Sequence, residues 1–349
     1  MPDSRTIFIV DDSDVNLLTA KKALSQKYNI YTLPSAASMF ELLENIMPDM
    51  ILLDISMPVT DGFEALKLLK SNERFTDIPV IFLTSWRDAD IEARGFEMGV
   101  ADFISKPFNE GVLINRIKTH LEINERIRSQ TEMLLHRTER LQRLRNSMVS
   151  VLAEMLESRD KDTGGHIERT ATYTRILINK MIERGVYVSD ISCWDIDMLI
   201  SSVRLHDVGK ISISDLILNK SESLTSEEFE TMKIHAAEGE RIINKIISQT
   251  GDEDFLVCAK MFAGYHHERW DGTGYPHGLK GTDIPILGRI MAVVDVYDAL
   301  MSDRPYKKAF THEQAVSIIV EGKGRQFDPR LVDLFCEFQN LFSEVSKCH

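Results

Sequence analysis

The first third of the chain alternates short apolar runs with amphipathic segments. Each run is four or five residues long, as in a buried strand, and the runs cover residues 6–10, 30–33, 50–53, 79–83 and 101–105. Strands that alternate with helical segments form a doubly wound parallel sheet with helices on both faces. We therefore predict an α/β domain with a doubly wound parallel sheet over residues 1–124.

Residues 110–160 contain no proline and a single glycine, Gly111, which predicts one long helix. Its apolar positions recur at sevens, as in a coiled coil, at Ile127, Leu134, Leu141, Met148 and Met155. The intervening seam positions are polar: Thr131, Thr138 and Arg145. We predict that residues 110–150 form a connecting helix that pairs with a second copy and passes the state of the first domain onward.

Beyond residue 150 the strand pattern disappears. Apolar residues recur at helical spacing over 151–158, 171–183, 196–205, 227–247, 257–265, 288–300 and 312–320. We therefore predict an all-α domain over residues 148–349, joined to the first domain by the long helix.

Composition limits the classes of function. The 349 residues are 43% hydrophobic and 27% charged, which fits two globular domains. The net charge of −13 disfavours nucleic acid as a partner, since nucleic-acid binding needs a basic face. No apolar run reaches the roughly 18 residues of a membrane span, and the N-terminus lacks a signal-peptide core, so we expect a cytoplasmic protein. The four cysteines show no CxxC spacing, which favours reduced structural thiols.

Polar residues follow the predicted strands of the first domain. The carboxyl ends of parallel strands meet at one edge of a sheet, so five side chains should converge there: Asp11, Asp12, Asp54, Thr84 and Lys106. Crowded carboxylates repel one another unless a cation lies between them, and such oxygen ligands suit Mg²⁺. The lysine and the hydroxyl group fit a bound phosphoryl group.

This segment resembles the receiver domains of response regulators, through Asp11-Asp12, residues 53–58, Thr84-Ser85 and Lys106-Pro107. The resemblance implies that Asp54 accepts a phosphoryl group from a histidine kinase. It also implies that Asp11, Asp12 and the Ser56 carbonyl bind Mg²⁺, and that Thr84 and Lys106 contact the phosphoryl oxygens. Phe103 stands where the family often has an aromatic switch residue, but it fits a core residue equally well.

Five of the ten histidines of the chain fall in tight motifs of the second domain: His166, His206, His235, His266 and His267. Three aspartates accompany them: Asp162, Asp207 and Asp295. Asp295 ends an apolar run where a buried charge would need a counter-ion, whereas Asp162 fits a helix cap as well as a ligand. Seven or eight ligands exceed the needs of one ion, and mixed imidazole and carboxylate donors suit Fe, Mn or Zn.

The second domain resembles the HD-GYP family of cyclic-dinucleotide phosphodiesterases. The resemblance rests on residues 159–166, 206–210 (HDVGK), 232–235, 266–276 (HHERWDGTGYP), 295–300, 302–307 and 326–329. It implies that two Fe or Mn ions are held by His206, Asp207, His235, His266, His267 and Asp295. His166 and Asp162 would complete a third site, which is less secure because Asp162 is shorter than the glutamate of some relatives.

The resemblance also implies the chemistry. Two metal ions about 3.5 to 4 Å apart can activate a hydroxide for in-line attack on a phosphodiester. Lys210, on the same helical face as His206 and Asp207, would stabilise or protonate the leaving oxygen. Gly274 and Tyr275 would shape the nucleotide pocket, and Arg304 and Lys307 would contact substrate phosphates. The other histidines, among them His120, His277 and His312, we leave as surface residues.

The predicted function is hydrolysis of cyclic di-GMP to pGpG, with onward cleavage to GMP left open, under the control of Asp54 phosphorylation. Two alternatives stay open: a preference for 3′,3′-cyclic GMP-AMP, and a sensor that binds the dinucleotide without turnover. A generic HD nucleotidase would not account for Gly274 and Tyr275 or for residues 304–307. We expect a homodimer, whose kinase and direction of regulation the sequence does not give.

Overall fold

A computed structural model describes residues 5–85, 89–159, 165–251, 253–303 and 308–348. The chain divides into two compact units, Met1–Glu139 and Arg140–His349. Within the described residues, no helix combines the length and the apolar composition that a membrane span requires.

The first unit contains a five-stranded sheet in the order β2-β1-β3-β4-β5, with every neighbouring pair parallel. Its strands are β1 (Thr6–Val10), β2 (Asn29–Leu33), β3 (Met50–Asp54), β4 (Val80–Thr84) and β5 (Asp102–Ser105). Every residue of the central strands β3 and β4 is buried, which explains their continuous apolar runs. The predicted α/β fold is confirmed.

Helices cover both faces of this sheet. They are α1 (Asp14–Leu24), α2 (Ala36–Leu43), α3 (Gly62–Ser71) and α4 (Ala89–Glu97). One apolar core packs under α2 and α3. A second packs under α1 and the start of the helix that begins at Glu110. At Gly62, a side chain would meet the Asp54 carbonyl oxygen at 2.5 Å, so glycine lets α3 begin close to the end of β3.

The connecting helix α5 (Glu110–Glu157) is continuous over 48 residues. Leu113, Ile117 and Leu121 near its start are buried in the first unit, and Val149 and Ala153 are buried in the second. The helix ends three residues before the predicted limit of 160. Residues 160–164 lie outside the described part of the chain.

The second unit is helical, as predicted. After α5 it contains α6 (His166–Arg184), α7 (Val188–Ile191), α8 (Ile196–Val203), α9 (Asp215–Leu218), α10 (Ser226–Thr250), α11 (Asp254–Tyr265), α12 (Ile286–Met301), α13 (His312–Glu321) and α14 (Pro329–Cys348). Short 3-10 helices cover Val208–Ser212 and Gly281–Asp283. Among the described residues of this unit, β structure is limited to one isolated bridge between Lys323 and Phe327.

The segment around His206 is not one continuous helix, although Lys210 was predicted on the same helical face as His206 and Asp207. Helix α8 ends at Val203, and His206 and Asp207 lie in a turn before the 3-10 helix Val208–Ser212. The backbone N–H of Lys210 donates to the Asp207 carbonyl at 2.9 Å, a bond of the i to i+3 type. Residues three apart are in line in a 3-10 helix, so Lys210 still faces Asp207.

Candidate phosphorylation site and metal centre

Asp11, Asp54 and Lys106 meet at the carboxyl edge of the sheet. The Lys106 ammonium lies 2.7 Å from Oδ2 of Asp11 and 2.7 Å from Oδ1 of Asp54. Asp11 and Asp54 are buried and Asp12 is exposed, yet one carboxylate oxygen of each lies within 4.8 Å of the other two. Three carboxylates at this separation, open to solvent through Asp12, suit a hard divalent cation.

The other residues predicted at this edge lie around Asp54. Thr84 is buried at the end of β4, and its carbonyl accepts the Lys106 N–H at 2.8 Å. The Ser56 backbone hydrogen-bonds the Asp54 carboxylate. Burial raises the pKa of the Asp54 carboxyl, although Lys106 acts in the opposite direction. Phe103 is buried and its ring fills the space that a side chain at Gly95 would occupy, so it belongs to the core.

Three histidines converge in the second unit. His235 lies on α10, and His266 and His267 follow directly after α11. Nε2 of His235 lies 3.2 Å from Nε2 of His266 and 3.1 Å from Nε2 of His267. We call these residues the α10–α11 trio.

Asp207 joins this trio to a second group formed by His166, His206 and Asp207 itself. Asp207 Oδ1 lies 3.5 Å from Nε2 of His235, and Oδ2 lies 3.3 Å from Nε2 of His206. The Nε2 atoms of His206 and His166 are 3.2 Å apart. A single carboxylate thus lies between two sets of imidazoles, where it would serve as an oxygen ligand for divalent metal ions.

Backbone carbonyl groups hold three of these histidines in one tautomer. Nδ1 lies 2.7 to 3.0 Å from a carbonyl oxygen in each, at the pairs His206–Val203, His235–Met232 and His266–Phe262. A carbonyl only accepts, so Nδ1 of the neutral imidazole carries the proton and Nε2 keeps its lone pair. The facing Nε2 atoms of His235 and His266 are then both acceptors.

Two facing acceptors fit a cation between them. Metal–nitrogen bonds of about 2.0–2.1 Å bring neighbouring ligand atoms roughly 3 Å apart, close to the 3.1 and 3.2 Å separations of the trio. The residues present therefore fit a metal centre in tautomer and in spacing.

The protonation of the trio also suits metal binding. Burial lowers the pKa of His235, lowers that of His266 to about 3, and lowers that of His267 well below its usual value. For His206, burial acts in the same direction, but the Asp207 and Asp295 carboxylates and the Val203 carbonyl together outweigh it and raise the pKa. Neutral imidazoles are the ligand form of histidine, so the trio needs no proton release to bind an ion.

Asp298 and Arg169, for which the sequence predicts no role, fix His166. The fully buried Asp298 carboxylate lies 2.8 Å from Nδ1 of His166 and takes two hydrogen bonds from Arg169, at 2.7 and 3.0 Å. Burial acts to raise the pKa of Asp298, but His166 and Arg169 outweigh it and lower the pKa. Arg169 follows His166 by three residues, so helical spacing was the available signal.

Glu268 holds the glycine-rich loop after the histidine pair, and it too was missed. Its buried carboxylate accepts the backbone N–H groups of His277, Gly278 and Leu279 at 2.7 to 3.1 Å. The Tyr275 N–H donates to the His267 carbonyl at 3.2 Å. At Gly274 a Cβ would lie 2.3 Å from the Arg269 nitrogen, so only glycine fits.

A pocket of about 470 Å³ opens over both groups of ligands. His166, Asp207, His235 and His267 lie at its floor together with Asp295 and Lys210. Its apolar wall consists of Ile217, Leu218, Leu224, Phe229 and Met232, and the Tyr275 side chain also faces it. Three histidines, His166, His235 and His267, thus line a cavity of ligand size.

The remaining predicted site residues have different outcomes. Asp295 lies 3.7 Å from His166 Nε2, and the Lys210 ammonium lies 2.8 Å from Asp207 Oδ2. Asp162, Arg304 and Lys307 lie outside the described residues. His277 is exposed, but placing His120 and His312 at the surface was wrong: both are half-buried and bond Asp102 and Tyr297, at 3.0 and 2.9 Å.

Comparison with known proteins identifies two families in this chain. Residues 7–118 match the response regulator receiver domain, and residues 150–331 match the HD domain. The first match contains the cluster around Asp54, and the second contains both histidine groups.

Three curated relatives are similar to this chain over more than half of its length. A probable cyclic di-GMP phosphodiesterase of Vibrio cholerae is 39% identical over 98% of this chain and 79% of its own length. The cyclic di-GMP phosphodiesterase response regulator RpfG of Xanthomonas campestris is 35% identical, over 82% of this chain and 74% of its own. The 3′3′-cGAMP-specific phosphodiesterase 2 of Vibrio cholerae is 38% identical over 57% of this chain and 35% of its own.

Proposed function

The chain belongs to the response regulators that join a receiver domain to an HD-GYP cyclic-dinucleotide phosphodiesterase domain, and on this premise we propose that it hydrolyses cyclic di-GMP to pGpG. The observation that supports the proposal most directly is the pair of histidine groups that share Asp207 at the floor of the pocket. Onward cleavage of pGpG to GMP belongs to the same proposal.

Two Fe or Mn ions are the cofactors we propose for this centre. His206, Asp207, His235, His266, His267 and Asp295 would hold them, with His166 and Asp162 at a third site. The mixture of imidazole and carboxylate donors supports this class of metal. Such ions supply Lewis acidity and make water a stronger nucleophile at neutral pH. In the receiver, Asp11, Asp12 and the Ser56 carbonyl would hold Mg²⁺ beside Asp54.

Each of these pocket residues has a proposed role in the reaction. Water adds to phosphorus, the bond from phosphorus to the 3′-oxygen breaks, and a proton must reach that oxygen. The Lys210 ammonium, on the pocket floor, is the group we propose for this proton transfer. Tyr275 and Gly274 would shape the pocket for the nucleotide, and Arg304 and Lys307 would bind its phosphates.

A second candidate substrate is 3′,3′-cyclic GMP-AMP, because one relative with this specificity is 38% identical over 57% of this chain. The two dinucleotides share the phosphodiester ring and differ in one base. The third candidate is a sensor without turnover, and loss of a metal-ligand residue would favour it. Every predicted ligand position within the described residues is a histidine or an aspartate, so this candidate is disfavoured.

The proposed organisation follows the sequence boundaries: a receiver over residues 1–124, a connecting helix over 110–150 and the phosphodiesterase domain over 148–349. A cognate histidine kinase would phosphorylate Asp54, and Thr84 and Lys106 would contact the phosphoryl group. A homodimer through α5 is part of the same proposal.

Turnover assays with both dinucleotides test the function. We expect the purified protein, analysed for bound metal, to cleave cyclic di-GMP faster than cyclic GMP-AMP, and we expect His206→Ala combined with Asp207→Ala to abolish cleavage. His277→Ala serves as the matched control, since His277 is an exposed histidine of the same loop region. Wild-type turnover by the double variant would refute the site. Faster cleavage of cyclic GMP-AMP would favour the second candidate.

A further inference from the structure

The last turn of α5 contacts His166 directly. Glu157 is the final residue of α5, and its Oε1 accepts the backbone N–H of His166, the first residue of α6, at 2.7 Å. The first N–H groups of a helix have no partner inside it, and the residue before α6 is Gly165, which has no side chain to offer. A carboxylate from another helix therefore supplies the missing acceptor.

Two residues after α5 ends, Arg159 contacts the segment that forms one wall of the pocket. The Arg159 guanidinium lies 2.7 Å from Asp215 Oδ1 and donates to the Ile213 carbonyl at 3.3 Å. In return, the Asn219 amide donates to the Arg159 carbonyl at 2.9 Å. These contacts tie the segment that contains Ile217 and Leu218, which line the pocket.

We propose that Glu157 is a positioning residue that fixes His166 for metal binding and thereby links α5 to the active centre. The inference rests on His166 being a ligand, as proposed above. Asp298 holds the imidazole of His166 at Nδ1, and Glu157 holds its backbone. Without Glu157, Asp298 still holds the imidazole of His166. The backbone N–H in the first turn of α6 would then have no carboxylate to accept it.

Two substitutions separate the effect of the Glu157 hydrogen bond from the effect of its charge. Glu157→Met removes the acceptor at similar side-chain length, whereas Glu157→Gln keeps an amide oxygen that accepts the same N–H. Glu154→Met is the matched control, because Glu154 is an exposed glutamate one turn earlier on α5. The readouts are metal bound per chain after gel filtration, kcat and KM for cyclic di-GMP, and the melting temperature.

We expect Glu157→Met to weaken metal retention and lower kcat by about tenfold or more, as for other groups that orient metal ligands. Its KM should change little, since the pocket wall is held by Arg159. Glu157→Gln and Glu154→Met should stay within about twofold of wild type. These values would support the hydrogen bond as the link.

Two results would overturn the proposal. A capping role alone would lower the melting temperature of Glu157→Met and leave metal per folded chain and kcat unchanged. Equal losses in Glu157→Gln and Glu157→Met would assign the effect to charge. His166→Ala, measured in parallel, tests the ligand role of His166 separately from the positioning role of Glu157. Full metal content and activity in that variant would refute His166 as a ligand and would leave the contact with Glu157 untouched.

Discussion

Gly209 is the residue at which two ligand-bearing segments touch. It follows His206 and Asp207 and faces α10 beside His235. A Cβ at this position would lie 1.9 Å from the His235 carbonyl oxygen and 2.5 Å from the Gly239 nitrogen. Both are backbone atoms and cannot turn away. The missing side chain therefore allows Asp207 to come within reach of the α10–α11 trio.

We predict that Gly209→Ala separates the two ligand groups. Overpacking of this kind costs about 1–3 kcal/mol of folding free energy. Because a few tenths of an ångström matter to a metal site, we expect a roughly tenfold or larger loss of turnover. The metal content and kcat of Gly209→Ala, compared with wild type, test this prediction.

Gly111→Ala is the control for that substitution. It lies exposed in the first turn of α5, where a Cβ meets only the Asn109 side chain at 3.4 Å. This variant should keep wild-type activity and gain roughly 0.5–1 kcal/mol of stability. Full metal content and turnover in Gly209→Ala would contradict the argument from close approach.

At the scale of elements, α5 presents two different faces. The seam residues are more than half exposed: Ile127, Leu134, Leu141, Met148 and Met155. Arg145, predicted in the same seam, instead stacks over the Phe255 ring at 4.5 Å, next to the buried Val149. Position 145 therefore belongs to the face of α5 that packs within the second unit, whereas Thr131 and Thr138 remain exposed polar positions of the seam.

An exposed row of apolar residues at heptad spacing predicts pairing of α5 with a second copy. Leu134→Lys combined with Leu141→Lys should convert the dimer to the 39.8 kDa single chain, measured by light scattering on a gel-filtration column. Ser129→Lys with Ser147→Lys adds the same charge at exposed positions off the seam and should remain dimeric. If the leucine variant keeps the mass of the dimer, α5 is not the interface.

Local pattern predicted the elements better than it predicted their contacts. The five strands begin or end within one residue of their predicted bounds, since buried runs and turn residues are local signals. Helix α6 begins at His166 rather than 171, because its start depends on Gly165 and Glu157 instead of on apolar spacing. The pairing of Arg169 with Asp298 joins residues 129 positions apart, which no periodicity encodes.

The histidine motifs could be found because each is compact in sequence. The sequence did not predict which histidines lie together. His235 meets His266 and His267, whereas His166 meets His206, and the division depends on how α6, α8, α10 and α11 pack. The residue types thus predict a set of seven or eight ligands and a class of metal. Which ligands share an ion, and that Asp207 lies between them, are properties of the tertiary structure.

At the scale of the whole molecule, helix α5 belongs to both units. Leu113 and Ile117 of α5 are buried in the core of the first unit, and Glu157 at its other end bonds His166. The helix contains no proline, so we expect a shift of its first turns to reach Glu157 along the helix. This is the route by which we predict that phosphorylation of Asp54 acts on the proposed metal ligand His166.

We predict that beryllofluoride, which mimics the phosphoryl group on Asp54, changes the turnover of wild type about fivefold or more, a coupling of roughly 1 kcal/mol. Asp54→Asn should not respond. Asp77→Asn should respond like wild type, since Asp77 is an exposed aspartate just before β4, at the opposite edge of the sheet. Turnover of cyclic di-GMP is measured for each variant with and without the reagent. Equal rates for wild type in both conditions would reject the receiver as a switch, and a response that persists in Asp54→Asn would move the switch to another residue.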